Sequence, residues 1–141
     1  MEMAEFAHFL AAQSPVYATA LAELRAGRKA THWMWFIFPQ LQGLGASAMS
    51  RRFALGDLGE ARAYLAHPVL GARLRECTAA VLDHRGQRTA HEIFSSPDDL
   101  KFRSSMTLFG LADPSEPLFR DALAHFYGGK PDPRTLALLG L

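Results

Sequence analysis

A single cysteine, Cys77, leaves no partner for an intrachain disulfide and supplies too few thiolates for a zinc site. The six histidines, His8, His32, His67, His84, His91 and His125, form no H-E-x-x-H arrangement, and His91-Glu92 lacks a second histidine one turn on. Neither a metal site nor a cofactor is expected. An excess of charge is missing too: 15 basic residues face 14 acidic ones for a formal net charge of +1, and the arginines from Arg25 to Arg134 form no basic block. A phosphate backbone needs clustered cations, so nucleic acid is not the expected partner. No stretch approaches the roughly 18 uninterrupted apolar residues of a membrane span. The start, MEMAEFAHFLAAQ, is acidic ahead of its short apolar segment, the reverse of a secretory signal. No membrane association is expected, and a cytoplasmic address follows. Period-2 alternation, Asn-Gly hairpin signals and fixed-length repeats are missing as well, which argues against a sheet.

What is present suits a folded domain. With 49% hydrophobic and 21% charged residues over 141 positions, the chain lies far from the composition of disorder. A chain of this length buries roughly 68–70% of its unfolded surface. Apolar stripes at helical spacing recur: Phe6, Phe9 and Leu10; Val16, Tyr17, Ala20, Leu21 and Leu24; Leu70, Leu74, Cys77 and Val81; Leu118, Phe119, Ala122, Leu123 and Phe126. Between them stand helix signals. Ser14-Pro15, Ser96-Pro97 and Asp132-Pro133 read as starts, Asp57 with Glu60 and Thr89 with Glu92 have capping-box spacing, and Gly27, Gly86 and Gly128-Gly129 read as stops. The expectation is one all-α domain, residues 1–141, of about seven to nine short helices.

The run THWMWFIFPQLQGLG is too short and too evenly apolar for periodicity to assign. Thr31 is a plausible cap, Pro39 forbids continuation, and a lone strand among helices would leave its backbone groups unpartnered, so a short, nearly fully buried helix is expected. Trp33, Trp35, Phe36 and Phe38 fit the centre of a core, or in part a stacking wall for a planar ligand. A buried indole needs an acceptor, which His32 or Gln40 could provide.

Gly43-Leu-Gly45-Ala-Ser47-Ala48 has the form G-x-G-x-x-A, but PQLQ intervenes and no sheet follows, so a dinucleotide fold is not expected. A turn and an N-cap at Ser47, or a backbone cradle for an anion, are the readings left. In DDLKFRSSMTLF, Ser104, Ser105 and Thr107 are poor choices for an exposed helix, because their hydroxyls compete for the backbone. With Lys101 and Arg103 on adjoining faces they could donate to a phosphate, carboxylate or sugar, or they could bond neighbouring helices. Cys77 falls on an apolar stripe, as a small hydrophobe does.

Three blocks, HWMWFIFPQLQGLGASAMSRRFAL, EARAYLAHPVLGARLREC and DDLKFRSSMTLF, together with the closing LFRDALAHFYGGKPDPRTLALL, resemble a bacterial domain-of-unknown-function family, DUF1810, called calpastatin-like in some genome annotation. The resemblance covers nearly the whole chain. It implies a multihelical fold and brings no reaction, cofactor or catalytic residue with it. The functional expectation is a small polar or anionic ligand, nucleotide-like ones included, held between the aromatic run with Gln40, the loop at 43–47 and the helix carrying Lys101 and Thr107. An interaction module without a ligand is the alternative, its protein partner unspecified. A hydrolase or transferase with His32 or His67 as general base is the third.

Overall fold

Four helix starts are fixed by a short side chain that accepts from an otherwise unpartnered first-turn N–H: Ser47 from Ser50, Asp57 from Glu60, Thr89 from Glu92 and Asp132 from Thr135. Thr89 and Glu92 complete a reciprocal capping box. The computed structural model describes residues 6–141, and the acidic start at 1–5, on which the reading against a secretory signal rests, lies outside them. Ten helices and no strand make up the described residues: α1 (Ala7–Gln13), α2 (Tyr17–Ala26), α3 (Met34–Ile37), α4 (Ala48–Arg52), α5 (Leu58–Ala66), α6 (Leu70–Leu82), α7 (Ala90–Phe94), α8 (Asp98–Ala112), α9 (Pro117–Tyr127) and α10 (Pro133–Leu138). The all-α expectation holds. None of these helices is long and apolar enough to cross a membrane.

Helix α8 runs through the middle, packing against α5, α7, α9 and α10. Its Phe102, Met106, Leu108 and Phe109 are fully buried. Phe102 stacks on Phe94 of α7 with ring centroids 4.7 Å apart and takes the edge of Phe38 at 4.9 Å. Across the core, Phe6, Phe9 and Tyr64 meet edge to face, and Tyr64 passes the network on to Phe109 and Phe119. The start of α6 lies against the end of α5 because Gly71 has no Cβ: one built there would stand 2.1 Å from the Leu65 carbonyl oxygen.

The aromatic run forms the short buried helix α3, and its polar groups are met from elsewhere in the chain. Glu23 of α2 accepts from the N–H groups of Ala30 (2.8 Å) and Thr31 (3.0 Å), from the Thr31 hydroxyl (2.7 Å) and from the Trp33 indole N–H (2.9 Å). Gln13 donates to the Phe36 carbonyl at 2.7 Å and to the Tyr64 hydroxyl at 3.0 Å. Beyond α3, Gln42 N–H donates to the Leu55 carbonyl (2.8 Å) and Leu55 N–H to the Gln40 carbonyl (2.9 Å), an isolated bridge that satisfies the extended backbone.

Three cap readings are corrected. Ser14 closes α1 rather than opening α2, its hydroxyl donating to the Leu10 carbonyl. Thr31 caps nothing, because Glu23 has claimed both its N–H and its hydroxyl. Ser96 donates to the Asp99 carboxylate, and α8 starts after Pro97 with no side-chain cap. In each case a better acceptor or carboxylate lies within reach in the folded chain.

Burial pushes the Glu23 carboxyl up, but the four donors outweigh it and hold its pKa at about 2. A depressed pKa stabilises above the ordinary value of 4.5 and loses that contribution as pH falls through about 2. Glu23→Gln should therefore lower the melting temperature at pH 7, and the gap to the parent protein should close between pH 4.5 and pH 2 in melts followed by circular dichroism; equal melting temperatures at pH 7 would refute the anchoring role. Trp33 is 1% exposed, so Trp33→Ala should cost about 3–5 kcal/mol in chemical denaturation. Trp35 is only partly buried, and its removal should cost about 1 kcal/mol.

Candidate functional site

The polar residues of α8 divide by what they touch. Ser104 donates to the Leu100 carbonyl (3.1 Å) and Thr107 to the Arg103 carbonyl (2.9 Å), the backbone competition expected of short hydroxyls in a helix. Thr107 also accepts from the Asp132 N–H at 2.8 Å, while Arg103 donates to the carbonyls of Lys130 and Pro131, each at 2.9 Å. Arg103 and Thr107 thus clasp the segment entering α10. Ser105 is fully buried, and its hydroxyl has no partner among the described residues.

That clasp sets Asp132 and Arg134 opposite α3. Between them opens a cleft of about 340 Å³, walled by Trp35, Leu44, Pro97 and Leu100, with Lys101, Ser104, Asp132 and Arg134 as its polar rim and Gln40 at its floor. Gln40 is 7% exposed, and its amide Nε2 has no hydrogen-bond partner among the described residues. Gly45 lets the loop pass closely over this floor, since a Cβ there would lie 2.7 Å from Ser50 and 3.6 Å from the Trp35 ring. Arg134 donates to the Leu44 carbonyl at 3.2 Å and ties α10 to the same loop.

Lys101 stands 4.0 Å from the centroid of the Trp35 ring and 3.2 Å from Asp98 Oδ1. Lys29 mirrors it, 5.0 Å from the Trp33 centroid and 2.9 Å from Asp98 Oδ2, with only 8% of its side chain exposed. One carboxylate thus serves two ammonium groups, and one positive charge is in excess. Beyond Trp35 and Lys101 a second hollow of about 210 Å³ is lined by Lys29, His32, Trp33, Met49 and Asp98.

Of the residues singled out in the sequence, Trp35, Gln40, Gly45, Lys101 and Ser104 come together in the cleft. Trp33 is core and borders only the second hollow, its indole N–H bound by Glu23 and by neither His32 nor Gln40. Gly43, with φ of 100°, turns the chain against Leu138, and Ser47 caps α4. Arg103 and Thr107 face other partners, and Ser105 is buried away from the cleft with no partner among the described residues. Sequence reading missed Leu44, Pro97, Leu100, Asp132 and Arg134. Asp132 and Pro97 were legible only as helix-start signals, and nothing local to the others marks them, since the cleft joins distant segments, such as Leu44 and Arg134, 90 positions apart.

Of the histidines considered as a base, His32 is exposed and His67 has no carboxylate hydrogen-bonded to it among the described residues, whereas the exposed His91 lies 3.5 Å from Asp99 Oδ2. His67 Nδ1 accepts from the N–H groups of Val69 and Leu70, both at 3.2 Å, and its buried Nε2 has no partner among the described residues. Cys77 is buried, and desolvation pushes its thiol up to about 12, so it stays protonated.

A family model described as a protein of unknown function, DUF1810, matches residues 3–139. Among solved structures, a conserved hypothetical protein from Mycobacterium tuberculosis is 51% identical, with a TM-score of 0.93 over 97% of each chain. No curated protein matches the chain.

Two substitutions separate the roles on α8. Ser105→Ala removes a buried hydroxyl that has no partner among the described residues, so stability in chemical denaturation should stay level or rise by up to about 1–3 kcal/mol. Arg103→Ala releases the segment at 130–131 and should cost about 1 kcal/mol. If Ser105→Ala destabilises as much as Arg103→Ala, the hydroxyl has a partner in solution.

Proposed function

We propose that this chain, which belongs to the DUF1810 family of proteins of unknown function, binds a small anionic ligand in the cleft between the aromatic run, the loop at 43–47 and α8. The observation that carries the reading is Gln40, a buried residue that lines the cleft and whose amide nitrogen has no partner among the described residues. A buried polar group without a partner costs about 1–3 kcal/mol, and a ligand that supplies the partner recovers it. The excess positive charge of the Lys29–Asp98–Lys101 group favours an anion. The half-shielded Trp35 ring provides apolar contact beside that charge.

A second reading draws on Leu100 and Leu138, 57% and 51% exposed, the first on the cleft wall and the second beside Gly43. These apolar tips would suit an apolar side chain of a protein partner laid over the cleft.

A thermal-shift screen with nucleotides, sugar phosphates and carboxylates separates the two, because a ligand bound only by the native state raises the melting temperature. The expected result is a rise with at least one anion, lost in Lys101→Ala, whose own unliganded stability should fall by no more than about 1 kcal/mol, because Lys29 still pairs with Asp98 at 2.9 Å. A screen with no rise for any class would favour the interaction reading.

A further inference from the structure

Trp35 and Lys101 form a ridge shared by the cleft and the second hollow, and the chemistry on the cleft side of the ridge selects among anions. A sugar or polyol needs a polar partner for nearly every hydroxyl once it is taken out of water. The cleft offers few neutral ones that are free: the Ser104 hydroxyl donates to the Leu100 carbonyl, Asp132 Oδ2 holds the N–H and hydroxyl of Thr135 at 2.9 and 2.6 Å, and the remaining polar side chains besides Gln40 are the cations Lys101 and Arg134, the latter donating to the Leu44 carbonyl at 3.2 Å. The rest of the wall, Trp35, Leu44, Pro97 and Leu100, is apolar. A planar heteroaromatic ring has the opposite needs, apolar contact on its faces and one or two hydrogen bonds at its edge. Gln40 fits the edge. A carboxamide presents a donor and an acceptor side by side, and a half-turn exchanges them, so the pair can meet the donor and acceptor edge of a nucleobase.

Size and charge narrow the class further. A volume of about 340 Å³ lies at the lower end of small-molecule sites, room for one ring system with its sugar and too little for a dinucleotide. Lys101 can leave Asp98 for a phosphate without stranding the carboxylate, because Lys29 remains 2.9 Å from Asp98 Oδ2. One excess positive charge suits one phosphate better than a polyphosphate chain.

Resting on the anionic-ligand reading above, we propose that the ligand is a nucleoside monophosphate, its base against Trp35 with its edge on Gln40, and its phosphate on Lys101 at the ridge. The chain has two tryptophans, and only Trp35 borders the cleft, so a base seated there quenches Trp35 emission.

The test titrates AMP, GMP, CMP and UMP, the four nucleosides, ribose 5-phosphate and inorganic phosphate, by calorimetry and tryptophan fluorescence. Expected is saturable binding of at least one monophosphate with quenching that Trp35→Phe abolishes, its nucleoside weaker by roughly tenfold, and no binding of ribose 5-phosphate. Gln40→Leu should weaken nucleotide and nucleoside by the same factor, roughly tenfold, whereas Lys101→Ala should weaken only the nucleotide. Should Gln40→Leu fail to fold, Gln40→Glu keeps the side-chain shape and reports on the same edge. Ribose 5-phosphate or phosphate binding as tightly as the best nucleotide would overturn the base assignment and leave the anionic-ligand reading standing. Nucleotide binding that Gln40 variants do not weaken would also overturn it. Failure of every nucleotide, sugar phosphate and carboxylate to bind would overturn both.

Discussion

The Glu23 carboxylate is the contact on which the rest of the arrangement depends. An apolar run of six residues can enter a core only if its backbone and indole polar groups are met there, and the run itself meets only part of them, with Ile37 N–H on the Trp33 carbonyl and Phe38 N–H on the Met34 carbonyl. Glu23 takes four donors at once from Ala30, Thr31 and Trp33, fixing the chain just before α3, and Gln13 takes the Phe36 carbonyl on the other side. With both ends held, Trp33 is turned into the core and Trp35, two positions on, is turned out of it. The partly exposed face of α3 that borders the cleft is a consequence of where those few hydrogen bonds hold it.

A second constraint runs through Asp98. Its carboxylate joins Lys29, just after α2, to Lys101 on α8, and each lysine also lies over one of the two tryptophans. This group binds the start of α8 to the segment that Glu23 organises, while the Lys29 N–H reaches the Ile93 carbonyl of α7 at 2.7 Å. The stability of the region and the charge at the cleft come from the same three side chains. Because two cations share one anion, pairing within the fold leaves a positive surplus, and it lies beside an aromatic ring and a buried amide.

The polar face of α8 shows how one sequence signal can have several causes. Ser104 and Thr107 bond back to their own helix, Thr107 and Arg103 hold the segment before α10, and Ser105 is buried without a partner among the described residues. Only Lys101 and Ser104 reach the cleft. Arg103 and Thr107 nonetheless bear on it, because their clasp sets Asp132 and Arg134 on its rim.

The sequence by itself determined the helical class, the stops at Gly27 and Gly128, the caps at Asp57, Thr89 and Asp132, and the burial of Leu70, Leu74, Cys77 and Val81. These are properties of neighbours within one or two turns, where spacing and turn chemistry act directly. It also placed Trp35, Gln40, Gly45, Lys101 and Ser104 among the candidates, through residue types that are unusual in their local setting. Only the tertiary structure decided that Trp33 answers to Glu23, that Ser14, Thr31 and Ser96 have other partners than first-turn N–H groups, and that Leu44, Pro97, Leu100, Asp132 and Arg134 complete the cleft. For Ser14, Thr31 and Ser96 the folded backbone chose among acceptors only three to eight positions away, whereas whether a side chain faces core or cleft depends on segments far apart in the chain being brought together, and no local pattern encodes that.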